Sequence, residues 1–339
     1  MDFKLDRPEK LCNNAVIVDG LPGCGKTMLS AVISSIDRVE LFQYANDIET
    51  YCILNYFKKI ETQIASKMIS SKMDYMLYNL MMSREVNFRY SDLSSVFKSH
   101  NKIKYFRRLF AEGDQAVPEL IDKEKPILHL VTHCISAFSK PLINCLNENM
   151  LLINFHRNPL YMIKQNMWNM ENLIDSNRDF SLYYNIKKKK YPYYFYGQEE
   201  KMITASSKEK AIFFLEWIRK IDNQREINPS SNYYELTFES FVKKPDKHLK
   251  EICKRLGTKI TNQTLKVLKR EKIPRKILSH GRNLSIYRRV SWEKTNAKSN
   301  SEEIDKLYKW VTKGISAEAK NALNWLMNDY EKFTKKELK

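Results

Sequence analysis

The chain has 339 residues, with 58 Lys+Arg against 40 Asp+Glu and a formal charge of +18 at neutral pH. Its 43% hydrophobic and 12% aromatic content gives enough apolar surface to offset chain entropy, which excludes a disordered polyelectrolyte. The charge calls for a polyanionic partner: nucleic acid, an anionic membrane surface, or a ligand with several phosphates.

The opening Met1-Asp2-Phe3-Lys4-Leu5-Asp6-Arg7 lacks the apolar core of a secretory leader. No apolar run approaches the ~18 residues of a membrane span, so a soluble, cytoplasmic protein is expected. The six cysteines are scattered without a CxxC pair, which supports neither a disulfide framework nor a metal site.

In chain order, Ala15-Val16-Ile17-Val18 is a β-branched run of the kind found in buried parallel strands, and a glycine-rich turn follows it. Met28, Leu29, Val32, Ile33 and Ile36 then recur at helical spacing. A second strand is predicted at 39–42. Residues 47–118 form a helical insertion, free of Pro and Gly as far as Glu112. Two further apolar runs, 127–133 and 150–155, read as buried strands ending in Thr132-His133 and His156-Arg157, with a helix at 140–146 between them. A mobile, basic, aromatic loop is predicted over 185–198, where Lys187 to Lys190 run into Tyr191-Pro192-Tyr193-Tyr194. Another strand follows at 233–238. A helix opens on Pro245 and closes at Gly257, and two helices within 301–333 divide at Gly314, the second capped by Ser316. The fold class is α/β, a three-layer P-loop-like unit spanning 1–339, with a C-terminal basic segment and helices over 258–339.

Gly20-Leu21-Pro22-Gly23-Cys24-Gly25-Lys26-Thr27 matches GxxxxGK[ST] and lies between a predicted strand and a predicted helix, the setting that motif requires. Glycines let backbone amides converge on phosphate oxygens, the helix N-terminus adds partial positive charge, and Lys26 adds a full one. In magnesium-assisted phosphoryl transfer an Asp at the end of a nearby apolar strand would help hold the metal. The strands that follow the loop end instead in histidine and arginine, with Asp47 or Glu235 as acids only if the strand boundaries are misplaced.

These residues resemble the sulfotransferase family, P-loop enzymes that use 3′-phosphoadenosine 5′-phosphosulfate (PAPS). The loop through Met28-Leu29 follows the family's first fingerprint, Phe155-His156-Arg157-Asn158-Pro159 its second, and Thr132-His133 its strand ending in Thr-His. Thr237-Phe238-Glu239-Ser240-Phe241 with Lys244-Pro245 and Arg255-Leu256-Gly257 is a looser echo. The departures are Gly23 where many members have a basic residue, Lys26 carrying that charge instead, Tyr161 for a common aspartate, and Gln165 where a serine helps hold the 3′-phosphate.

The resemblance implies a transferase that moves a sulfuryl group from PAPS to a hydroxyl or amine. Gly20, Gly23, Cys24, Gly25, Lys26, Thr27 and Met28 would cradle the 5′-phosphosulfate, Arg157 and Gln165 would take the 3′-phosphate, and His133 would be the base. His129 and His156 are alternative bases. Arg275-Lys276 and Gly281-Arg282 stand near the family's C-terminal basic segment. The partners are then a nucleotide donor and an unidentified acceptor, for which Lys187 to Lys190 suggest an anionic one. The alternatives are an ATP/Mg²⁺-dependent kinase or NTPase, and a non-catalytic nucleotide- or RNA-binding protein.

Overall fold

The computed structural model describes residues 10–224, 232–284, 290 and 296–337; the opening heptad lies outside them. Strands β1 (Ala15–Asp19), β2 (Gln43–Tyr44), β3 (Leu128–Val131), β4 (Met150–His156) and β7 (Tyr233–Thr237) form one sheet in the order β2-β3-β1-β4-β7. Every pairing in it is parallel. β5 (Tyr183–Ile186) and β6 (Lys189–Pro192) form a separate antiparallel hairpin. All residues of β1 and β3 are buried, as strands covered on both faces must be, and their continuous apolar runs follow from that.

Helices flank the sheet. After β1 comes α1 (Lys26–Ile33). Between β2 and β3 lie α2 (Asn46–Tyr56), α3 (Thr62–Met81), α4 (Lys102–Arg108) and α5 (Ala116–Glu124). Helices α6 (Lys140–Ile143), α7 (Ile163–Asn172), α8 (Glu199–Thr204) and α9 (Ser207–Gln224) precede β7. They are followed by α10 (Phe238–Lys243), α11 (Pro245–Arg255), α12 (Asn262–Glu271), α13 (Asn300–Thr312) and α14 (Ala317–Glu337). α1 packs on α12, α7 and α14 both pack on α9, and α2, α3 and α6 pack together. Among the described residues no helix is long and apolar enough to cross a membrane.

Several boundaries differ from the sequence reading. The second strand is Gln43–Tyr44 rather than 39–42, and Val39 makes only an isolated bridge to Ile127. The cause is Glu40. Its buried carboxylate receives Lys104 (2.6 Å), the Tyr105 hydroxyl (2.8 Å) and Arg108 (3.0 and 3.1 Å), while the Leu41 amide donates to Tyr105 Oη (2.7 Å). The Glu40 amide still donates to the Ile127 carbonyl (3.0 Å), but Tyr105 of α4 takes the Leu41 amide, and the ladder is interrupted there. The third strand stops at Val131, before Thr132-His133, and the helix expected over 140–146 ends at Ile143.

The loop expected across 185–198 begins instead as the β5–β6 hairpin. Lys187 and Lys188 form its turn with φ of 46° and 65°. That left-handed pair suits the twist of a two-residue hairpin, and the directly opposed Tyr184 and Tyr191, 5.7 Å apart, brace it. No Asn-Gly signal announced it. The C-terminal reading holds: Gly257 (φ 57°) follows α11, Gly314 (φ 76°) follows α13, and Ser316 Oγ accepts from the Ala319 amide at the start of α14.

Candidate functional site

β1 is the middle strand, with β3 and then β2 on one side and β4 and then β7 on the other, so the chain that goes from β1 to β2 and β3 on one side crosses back over β1 to reach β4. In open parallel sheets a ligand cleft lies at such a switch point, beyond the carboxyl ends of the strands. The glycine loop occupies that place. Gly25 (φ 100°) is the residue before α1, and a Cβ there would lie 2.7 Å from the Phe238 ring. Gly20 (φ 152°) is pressed against the Phe155 carbonyl. Any larger residue at either position would collide as well as strain the backbone.

Lys26 is buried, and its ammonium donates to the Gly20 carbonyl across the loop. The Cys24 amide is taken by the Leu21 carbonyl (3.1 Å), and burial pushes its thiol pKa up, so Cys24 is a packing residue. Thr27 and Met28, in the first turn of α1, line a cavity with Lys98, His100, Arg270 and Arg282. Burial first, and then the charges of Lys104 and Arg270, lower the pKa of His100. Glu271 receives both Arg270 (2.9 Å) and Arg282 (3.2 Å) there.

Arg157 comes to the loop from the end of β4. Its Nη1 donates to the Gly23 carbonyl (3.0 Å), and its guanidinium lies 4.1 Å from the Phe238 ring centre and 4.7 Å from that of Tyr161. Its Nε is buried without a hydrogen bond. Arg275 also lies over Phe238, at 5.4 Å, and Gly281 is packed so closely on Arg275 that a Cβ would sit 3.0 Å from the guanidinium. Arg275 Nε and Nη1 donate to the Leu278 (2.8 Å) and Glu271 (3.1 Å) carbonyls. Gln165 stands beside Gly23, with its amide donating to Asn169 (2.9 Å). Glu239, half-buried and next to Arg157, accepts from the Asn158 amide (3.2 Å) and from the Tyr330 hydroxyl. Burial raises its pKa.

The three histidines have different surroundings. His129 is fully buried in β3, bonded to Ser34 (2.9 Å), and burial pushes its pKa down to about 3. It is a neutral core residue and drops out as a base. His156 faces Arg219 (3.4 Å), with the Phe333 ring 4.5 Å away, so it belongs to the packing of α9 and α14. His133 is more than a third exposed, lies parallel to the Tyr44 ring at 5.8 Å, and meets Glu49 of α2: Glu49 Oε1 accepts both the His133 amide (2.9 Å) and Nδ1–H (3.1 Å). With Nδ1 the donor, Nε2 carries the lone pair.

Asp19, unremarked in the sequence, joins these parts. From the end of β1 it accepts from Thr132 Oγ1 (2.8 Å), the Ile135 amide (3.1 Å) and the Ser136 amide (2.8 Å), pinning the turn that carries His133 against the strand that carries the loop. The signal was available: an acid ending a buried apolar run immediately before a phosphate loop. Glu49 had no such signal, because 84 residues separate it from His133. The reserve acids lie elsewhere, Asp47 paired with Lys72 (2.6 Å) and Glu235 beside Tyr233 and His156.

No protein-family model matches the chain, and no curated protein does. Among solved structures it is similar to the sulfotransferase domain of the curacin biosynthetic pathway (14% identity, 94% of this chain and 98% of that one, TM-score 0.41). It is similar also to the sulfotransferase domain of the Synechococcus PCC 7002 olefin synthase (11%, 97% and 98%, 0.43) and to mouse sulfotransferase SULT7A1 complexed with PAP (12%, 93% and 90%, 0.31). With so few identical residues and scores this low, function rests on the chain's own site.

Proposed function

We propose that the protein is a sulfotransferase using PAPS, with a hydroxyl or amine as acceptor. The observation that carries this reading is Arg157, brought from the end of β4 to the Gly23 carbonyl of the loop with its Nε buried and without a hydrogen bond; Arg275 faces the same Phe238 ring, with its Nε and Nη1 donating to the Leu278 and Glu271 carbonyls. A guanidinium is a planar fork suited to phosphate oxygens, and a donor with a second phosphate, remote from its phosphosulfate, needs such a group. The Asp19 carboxylate that precedes the loop is occupied by three protein donors, which favours a donor held by cations over one held through magnesium.

In this reading the loop amides and Lys26 hold the phosphosulfate and neutralise charge on the departing phosphate oxygen. His133 Nε2 accepts the acceptor's proton as its oxygen or nitrogen bonds to sulfur and the sulfur–phosphate-oxygen bond breaks, releasing adenosine 3′,5′-bisphosphate. Glu49 holds the imidazole in the required tautomer. Gln165 would donate to the second phosphate by exchanging its bond to Asn169.

Thermal unfolding tests this, because a ligand that binds the folded state raises the melting point according to its saturation. Adenosine 3′,5′-bisphosphate in EDTA is expected to stabilise the chain. Stabilisation by ATP–Mg²⁺ alone would overturn the reading in favour of a kinase or NTPase. Stabilisation by the bisphosphate with no sulfuryl transfer to any hydroxyl or amine offered would point to a nucleotide-binding protein.

A further inference from the structure

α4 has two unlike faces. Its inner face is fixed, with Tyr105 and Arg108 buried and, together with Lys104, bonded to Glu40. Its outer face and the turn beyond present Ile103 (58% exposed), Phe106, Leu109 and Phe110 (89% exposed). Phe106 continues the apolar surface to Phe97 (5.9 Å between ring centres), which in turn meets Tyr90 (5.7 Å), itself 70% exposed. Soluble proteins rarely leave so much contiguous aliphatic and aromatic surface uncovered without a partner.

The rim of this surface is cationic. Lys102 and Arg107 stand exposed on α4, and Lys98 lies 4.1 Å from the Tyr90 ring centre. Asp92 is offset by Arg89 at 3.3 Å, and Glu112 follows only after Phe110. An apolar ridge with aromatic residues and a basic margin is the chemistry of a segment lying at the headgroup boundary of an anionic bilayer. The aliphatic members decide against nucleic acid, because Ile103 and Leu109 have no π-face on which a base could stack, whereas hydrocarbon accepts them. The Glu40 anchor makes the ridge a built feature of the fold.

We propose that this ridge docks the protein on the surface of an anionic membrane, with Ile103 and Phe110 entering the interface and Lys102 and Arg107 facing the lipid headgroups. Among the described residues no helix is long and apolar enough to span the bilayer, so the proposed attachment is peripheral and reversible. Part of the chain's net charge of +18 thereby acquires a second anionic partner, independent of the phosphate loop.

Co-sedimentation of the full chain with phosphatidylcholine vesicles, with and without phosphatidylserine, tests the proposal. Binding is expected only with phosphatidylserine and is expected to weaken as salt rises; the Lys102→Glu/Arg107→Glu variant is expected to lose at least about fivefold in affinity for each residue reversed. Ile103→Ser/Phe110→Ser removes two exposed side chains, so its melting point should match the parent while its vesicle affinity falls at least about tenfold. Absence of sedimentation with either vesicle would overturn the proposal. So would binding that the Ile103→Ser/Phe110→Ser variant leaves intact, which would mean adsorption through another basic surface. Single-stranded RNA binding lost in both variants, without vesicle binding, would make the ridge a nucleic-acid face. Conversion of a dimer to a monomer by Ile103→Ser/Phe110→Ser, again without vesicle binding, would make it a contact between copies of this chain.

Discussion

Arg157→Gln separates the role proposed for this residue from its part in shaping the loop. The guanidinium donates a hydrogen bond to the Gly23 carbonyl and lies over the Phe238 and Tyr161 rings. Losing these is expected to cost about 2–3 kcal/mol of stability, from ~1 for the bond and ~0.5–1 for each ring. That leaves a folded protein if its total lies in the usual range of about 5–15 kcal/mol. A charge-assisted bond to phosphate contributes about 1.5–3 kcal/mol, which corresponds to roughly ten- to 150-fold in affinity. Calorimetric titration of parent and variant with adenosine 3′,5′-bisphosphate and with AMP gives a ratio of affinities in which damage to the loop cancels. The bisphosphate is expected to lose about that ten- to 150-fold, and AMP only a small fraction of it. Equal losses for both nucleotides would refute the assignment, because Arg157 would then serve the loop or the 5′-phosphate they share.

Lys26→Ala is expected to abolish donor turnover, whereas His133→Ala should bind the bisphosphate normally and lose about 10²–10⁴ in transfer rate; unchanged transfer in His133→Ala would place the base elsewhere. Glu49→Gln should lower kcat at least about tenfold with little change in donor KM, as expected of a carboxylate that orients a histidine; a purely structural role would lower the melting point and leave kcat alone. Glu40→Ala leaves the buried Arg108 to the partly exposed Glu124 carboxylate (3.1 Å) and is expected to cost about 3 kcal/mol, the low end for a broken buried pair, in urea unfolding. Burial alone would raise the Glu40 pKa, but Lys104 and Arg108 outweigh it and hold the carboxyl below its ordinary value. Its contribution is therefore complete above the ordinary glutamate range and is lost as pH falls through the depressed value, so the difference between parent and Glu40→Ala should shrink in acid.

The parts of the fold legible in the sequence were those fixed by local rules. Apolar runs marked β1, β3 and β4, and the glycine-lysine-threonine string marked the loop, because burial on both faces and phosphate geometry each demand residues at fixed offsets. The shift of β2 was illegible because it depends on Glu40 meeting α4 more than 60 residues later. The Lys187-Lys188 turn uses residues that do not favour a left-handed backbone. At the site, the period of a strand put His129 and His133 on one face, but only the fold shows that β3 ends between them, leaving one histidine sealed in the core and the other partly open to solvent.

The arrangement has a single mechanical centre in Asp19. A parallel sheet fixes the height of neighbouring strand ends through its ladder, and here Asp19 on β1 pairs with Asn154 on β4, while Val18 pairs with Val131 on β3. The ladder places Arg157 within reach of the loop, because β4 runs on to His156 and delivers the next residue to the Gly23 carbonyl. It does not by itself place His133, which lies past the last ladder pair of β3. The three bonds to Asp19 supply that missing constraint, together with the Cys134 amide donating to the Gly20 carbonyl (3.4 Å). A carboxylate immediately before a phosphate loop would oppose an incoming anion if its charge were exposed. Buried and surrounded by donors, its charge is offset, and the residue instead couples the position of His133 to that of the loop.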